Sequence, residues 1–245
     1  MTDSEPGSLQ GLLGIHEALI RNPNNAARGD ALHPGRLDPP SGWQPSMEPI
    51  VGYQAVDPGT LELGGHDSFH DIPDSELTRA VVQVVDREGP VHFRVLADRL
   101  LEAADVGRLG SRIRERIESH LDALAEAGTL ERDDPLVGRW QHFLVPAYRD
   151  WSEAPEKTRD LDHVHDSELM LCLFRAVLEE KGIDTDTAMN NGLYRIGFTR
   201  LTDNARERLK TPLEGLLDRG MLMETGGAIA LGPEAFLRGS GGSSS

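Results

Sequence analysis

Cysteine is almost absent. Cys172 is the only one in 245 residues, which excludes an internal disulfide and any cysteine-rich zinc site. It stands in the apolar run Leu169-Met170-Leu171-Cys172-Leu173-Phe174, the setting of a core residue. Lysine is nearly as scarce: Lys157, Lys181 and Lys210 are the only lysines among 25 basic residues, a bias that fits a GC-rich genome better than a function. No stretch of about 18 apolar residues occurs, so no membrane-spanning helix is expected. The start, MTDSEPGSLQGLLGIHEALI, has no basic leader region and breaks its apolar patch at Gly14, His16 and Glu17. The expected compartment is therefore the cytoplasm. Positive charge is also short, with a net charge of −16. That argues against a general nucleic-acid coat and against an anionic membrane surface as partner.

What is present is an ordinary soluble composition, 38% hydrophobic and 27% charged, in a length that suits one or two domains. Residues 1–70 hold eight prolines and the breakers NPNN, DPPSG and DPGT. Apart from a short helix at Leu9–Ile20, they read as an extended arm or partly ordered linker. The tail at 239–245, GSGGSSS, has the composition of an engineered spacer and is left out of fold reasoning.

Between these ends the chain repeats itself with an offset of 92 residues. Asp74-Ser75-Glu76-Leu77 returns as Asp166-Ser167-Glu168-Leu169, and Arg108-Leu109 as Arg200-Leu201. Arg114-Glu115-Arg116 returns as Arg206-Glu207-Arg208. Leu121, Leu124, Gly128 and Leu130 fall on Leu213, Leu216, Gly220 and Leu222. Only the first turn slips by one, pairing Gly89 with Gly182. So many matches in order indicate a duplication.

Each copy has the same layout. An Asp in N-cap position, with Glu two places on, opens a first helix that Gly89 or Gly182 ends. A second helix follows at about Phe93–Ala104 and Thr185–Tyr194. A third runs at about Ser111–Ala127 and Asp203–Arg219, stopped by Gly128 or Gly220. Then comes a hairpin: MLMETGGAIAL places Gly-Gly between two alternating strands, and TLERDDPLVGRWQHFLV spells the same hairpin with a longer tip. The expectation is a mainly α fold with small β-hairpins, of the α+β class. It consists of tandem winged helix-turn-helix repeats at 71–150 and 151–238, preceded by the Pro/Gly-rich arm; wingless helix-turn-helix variants share the pattern.

At this point a family resemblance appears. VVDREGPVHFRVLADRL, GRLGSRIRERIESHLDALAEAGTLE, HFLVPAYRDW and YRIGFTRLTDNARERLKTPLEGLLDRGML resemble a paired domain of unknown function. That domain occurs near the C-terminus of large bacterial proteins with helicase-like cores and restriction-type nuclease domains. The resemblance covers about residues 70 to 232, and its more specific strings are Glu-Gly-Pro-Val-His and Gly-Phe-x-Arg. It implies work beside nucleic-acid remodelling, with anti-phage defence as a setting and a helicase- or nuclease-type protein as partner. This chain departs from those proteins in having no G-x-x-x-x-G-K-[ST] phosphate loop and no evident nuclease carboxylate set. No catalytic residue, cofactor or metal is expected in it.

A winged helix lays its third helix in the major groove. At about 100° per residue, Ile113, Ile117, Leu121 and Leu124 face inward in copy one. The outward ridge is Ser111, Arg112, Glu115, Ser119 and Asp122; in copy two it is Asp203, Asn204, Glu207, Thr211 and Glu214. A carboxylate thus takes the most outward position twice. Arginines flank it: Arg114, Arg116, Arg206 and Arg208 on the shoulders, Arg108 and Arg200 in the preceding turn. Together with Arg112 and Lys210 they form the candidate contact set for DNA phosphates or a partner. The competing reading pairs them with Glu115, Glu118 and Glu207 on a solvated helix. Thr211-Pro212-Leu213-Glu214 reads as a kink or restart of the third helix in copy two.

Other candidates are weaker. His66 with His70, and His163 with His165, stand among aspartates and could join to hold a metal, though Asp at a helix entrance is expected for capping alone. His92 lacks a positioned Ser or Cys nucleophile. Trp140 and Phe143 alternate as strand residues, expected to pack in the core rather than to stack on bases. Direct DNA binding and protein docking both remain open, and oligomeric state is not legible.

Overall fold

The computed structural model describes residues 51–143, 148–180 and 182–235, all within one compact unit. The expected helix at Leu9–Ile20 and the tail at 239–245 lie outside them. Copy one contains α1 (Asp74–Glu88), α2 (Phe93–Ala103) and α3 (Ser111–Glu126). After the single turn α4 (Trp140–Phe143), copy two contains α5 (Asp166–Glu180), α6 (Thr185–Arg195) and α7 (Asp203–Asp218). Every boundary of α5, α6 and α7 lies 92 residues beyond that of α1, α2 and α3.

The strands repeat as well. In copy one, β2 (Val91–His92) joins the hairpin of β3 (Glu131–Asp133) and β4 (Leu136–Gly138) in the order β2-β4-β3. Val91 faces Val137 there. In copy two the hairpin is β6 (Leu222–Thr225) with β7 (Ala228–Leu231), and an antiparallel bridge joins Ile183 to Ile229. Those are the counterparts of Val91 and Val137. Gly128 (φ 67°) and Gly220 (φ 65°) end the third helices in the left-handed region, where a side chain is costly.

The repeat reaches further back than its most legible string. Turns of 3-10 helix at Pro58–Thr60 and Phe69–Asp71 return at Trp151–Glu153 and Leu161–His163. Asp57 and Asp150 cap the first of each pair by accepting from the backbone N–H two residues on. Residues 57–70, which composition places in the arm, are thus the opening of copy one. Leu61, Leu63, Phe69 and Ile72 bury there. Just before them, β1 (Val51–Gly52) pairs in parallel with β5 (Arg149–Asp150).

Two cores result. Copy one packs Leu77, Val81 and Val84 of α1 against Leu96 and Leu100 of α2 and Ile117 and Leu121 of α3. Copy two packs Leu169, Leu173 and Val177 against Ala188, Leu193, Leu209, Leu213 and Leu216. Each such aliphatic side chain contributes about 1.5–3 kcal/mol on burial. Cys172 is fully buried, and burial pushes its thiol well above the usual range. It is a core residue and chemically inert. Among the described residues, no helix is long and apolar enough to cross a membrane.

Four local expectations need correction. Asp74 and Asp166 are the first helical residues, not the caps, because a third-helix arginine holds each carboxylate. The first hairpin tip is only Asp134-Pro135, as short as Gly226-Gly227, since Asp133 pairs directly with Leu136. Trp140–Phe143 is a helical turn and not a strand; the Arg139 N–H donates to His142 Nδ1 and closes it. Finally, α7 runs through Thr211-Pro212 without restarting. Pro212 is buried on that helix along with Leu209, Leu213 and Leu216, and the cap is Thr202, which accepts from the Ala205 N–H.

Candidate functional site

The outward ridges of α3 and α7 emerge as the helical period predicts. Ser111, Arg112, Glu115, Ser119 and Asp122 are exposed, as are Asp203, Asn204, Glu207 and Glu214, while Thr211 is half-buried. Each third helix carries four carboxylates against three cations. A phosphate backbone would meet a face that is acidic on balance.

Most of the candidate cations are committed within the fold. Arg116 reaches from α3 to the start of α1, where it donates to Phe69 O (2.6 Å), Ile72 O (2.5 Å) and Asp74 Oδ1 (2.7 Å). The bond from Arg116 holds the Asp74 carboxyl below its usual range. Arg208 repeats this in copy two, donating to Val164 O (2.7 Å) and Asp166 Oδ1 (2.5 Å). These acceptors are the counterparts of Ile72 and Asp74. Arg114 pairs with Glu118 at 3.2 Å and covers the Phe93 ring at 4.6 Å. Arg206 pairs with Asp186 and Lys210 with Glu207. Arg108, Arg112 and Arg200 are exposed and have no partner among the described residues.

A second charged site, at the seam between the copies, was not legible beforehand. Glu88, at the end of α1, is 1% exposed. It accepts from Arg99 Nε (2.7 Å), the Val56 N–H (2.8 Å) and Tyr53 Oη (2.5 Å). Burial and the Glu88 charge push the Tyr53 phenol well above its ordinary value. Arg99 also donates to Thr158 Oγ1 at 3.0 Å. Arg149 joins the copies: its Nε meets Glu168 Oε2 (3.1 Å), Nη1 meets Glu88 O (2.6 Å) and Nη2 meets Pro90 O (3.0 Å). Its guanidinium lies 4.7 Å from the Trp151 ring centroid and 5.5 Å from that of Tyr53. Buried ions so paired cost about 3–5 kcal/mol when one partner is lost.

The whole string Glu88-Gly89-Pro90-Val91-His92 builds this seam. Gly89 has no room for a side chain: a Cβ would lie 2.1 Å from His142 Nδ1 and 2.5 Å from Val85 O. His92 caps α2 and stacks on His163 of copy two with ring centroids 4.4 Å apart. His165 links to Asp133 of the first hairpin at 2.9 Å. The two histidine pairs considered as a metal site do not meet. His66 faces Glu76, whereas His163 faces Thr158 O. Among the described residues, no group of three or more His, Cys, Asp or Glu has an arrangement that could hold a metal.

A family model described as "Protein of unknown function (DUF3320)" matches residues 67–115. The match runs from before α1 to the start of α3 and includes the Glu88–His92 string. Neither curated proteins nor solved structures gave a match.

Proposed function

We propose that the chain is a non-catalytic accessory module, two winged helix-turn-helix units in tandem, that docks on a protein partner within a nucleic-acid-processing system. The winged reading is supported by the order helix, strand, helix, helix, hairpin in copy one, with Val91 against Val137 of the second hairpin strand, and by the single bridge of Ile183 to Ile229 at the same place in copy two. The resemblance to helicase- and nuclease-associated proteins suggests the partner class and a defence setting. One observation carries the preference for docking over DNA binding. Five of the eight candidate cations already serve the fold, on third helices whose outward ridges hold carboxylates.

Direct DNA binding is the second reading, favoured by the exposed Arg108, Arg112 and Arg200, which have no partner among the described residues. Fluorescence anisotropy with a labelled duplex at physiological salt separates the two. Docking predicts no binding tighter than about micromolar. A tighter affinity would overturn it in favour of DNA binding, provided Arg108→Ala, Arg112→Ala and Arg200→Ala weaken all sequences alike. Each lost phosphate contact should then lower the log–log salt slope by roughly 0.9.

A further inference from the structure

Four of the nine histidines gather at the seam: His92, His142, His163 and His165. Three of them use one atom in one way. Backbone N–H groups of Arg94, Arg139 and Ser167 donate to Nδ1 of His92 (3.0 Å), His142 (3.1 Å) and His165 (3.1 Å) respectively. These donors open α2, α4 and α5, where helix geometry provides no backbone acceptor. An imidazole accepts there only through the Nδ1 lone pair, the arrangement of a ring whose proton sits on Nε2; at His165 the Ser167 Oγ also lies 2.7 Å from Nδ1. In His165 that Nε2 faces Asp133 Oδ2 at 2.9 Å, which ties the first turn of copy two to the hairpin of copy one. At His92 and His142 a second proton would land on the lone pair that the backbone N–H already uses. It would turn an acceptor into a donor and leave two donors face to face.

We propose that the seam is an acid-released latch: protonating His92, whose ring lies against His163 of copy two, and His142 removes two backbone caps together and lets the copies part while each keeps its own core. The surroundings set the balance. Around His92, burial opposes the proton most, followed by the His163 ring; Asp160 and Asp162 favour it and Arg94 opposes it, leaving a pKa of about 4. Around His142, burial opposes the proton first, Arg149 and Arg139 oppose it and Asp86 favours it, so its pKa is lowered. His165 faces Asp133, Ser167 and the edge of the Phe143 ring at 5.1 Å. The sign follows. For His92 and His142, a folded pKa below the ordinary value of about 6.5 means that the open form takes up more protons in between. The stability of the closed seam is complete above about pH 6.5 and declines as pH falls toward about 4.

The test is small-angle scattering and amide exchange on the full chain from pH 7 to about 4.5, beside the variant His92→Asn, His142→Asn. Asparagine can offer a side-chain acceptor near the Nδ1 position but does not titrate. The seam carboxylates Asp133, Glu88 and Glu168 are common to both proteins, so the difference reads the imidazoles. In the wild type, exchange at Arg94 and Arg139 should rise about tenfold relative to core amides such as Leu121. The radius of gyration should rise with it, and the variant should show neither change. Equal pH profiles in the two proteins, or a flat wild-type profile, would overturn the latch. Should the variant not fold, the imidazole nitrogen shifts of the wild type at pH 7 decide. Nε2–H tautomers at His92 and His142 are required, and an Nδ1–H tautomer at either rejects the proposal.

Discussion

The turn between first and second helices is the same element in both copies, and its residues do different work in each. In copy one Glu88 is buried under three donors and His92 caps α2 while touching copy two. In copy two the counterparts Glu180 and Asp184 are exposed. Asp184 caps α6 with its own carboxylate, which accepts from the Thr187 N–H at 2.9 Å. The difference teaches a rule about caps. Where the cap faces water a carboxylate serves, and the Thr187 bonds hold its pKa down. Where the cap faces a seam, a buried carboxylate would need a counter-charge, and a neutral imidazole caps the helix without one.

The comparison breaks most visibly at the glutamates. Glu88→Gln removes the charge that Arg99 faces inside the seam and should cost about 3–5 kcal/mol in denaturant unfolding. Its counterpart Glu180→Gln should stay within about 0.5 kcal/mol. Equal effects would mean that the seam is no more demanding than the open turn.

Where the copies agree, variants should agree too. At the start of a first helix, Arg116→Ala strips two carbonyls and a carboxylate, and Arg208→Ala one carbonyl and a carboxylate. Each should cost about 1–3 kcal/mol, and thermal unfolding should show both losses. A neutral outcome at either site would return that arginine to the pool of cations free for a partner. The smallest expected effect is Asp184→Ala, about 1 kcal/mol for a lost cap. Chemical denaturation should resolve it, and a loss as large as that of Glu88→Gln would erase the distinction between the two turns.

The duplication could be read in advance because the residues that match across the offset are the ones both copies use. Asp74 with Arg116, and Asp166 with Arg208, are clamp partners, and Gly128 and Gly220 are left-handed helix ends. The seam was harder. Glu88 falls on the apolar stripe of Leu77, Val81 and Val84, and Arg99 lies just before Leu100. A charge on a buried stripe was a signal, but its partners Tyr53, Arg149 and Thr158 are distant in the chain and carry no local sign. The opening of copy one is hidden in the sequence for another reason. Leu61, Leu63, Phe69 and Ile72 follow neither a helical nor a strand period, and their burial depends on α1 and α2.

The central claim is that Arg149 and the Glu88–His92 turn hold two copies of one unit in a single arrangement. Spin labels at Arg108→Cys and Arg200→Cys, exposed counterparts in the two copies, test it directly, since the buried Cys172 thiol is shielded from labelling. Pulsed dipolar spectroscopy should return one narrow distance distribution at neutral pH, and adding Arg149→Ala should broaden it while both copies stay helical. A broad distribution before that substitution, or an unchanged narrow one after it, would contradict the account.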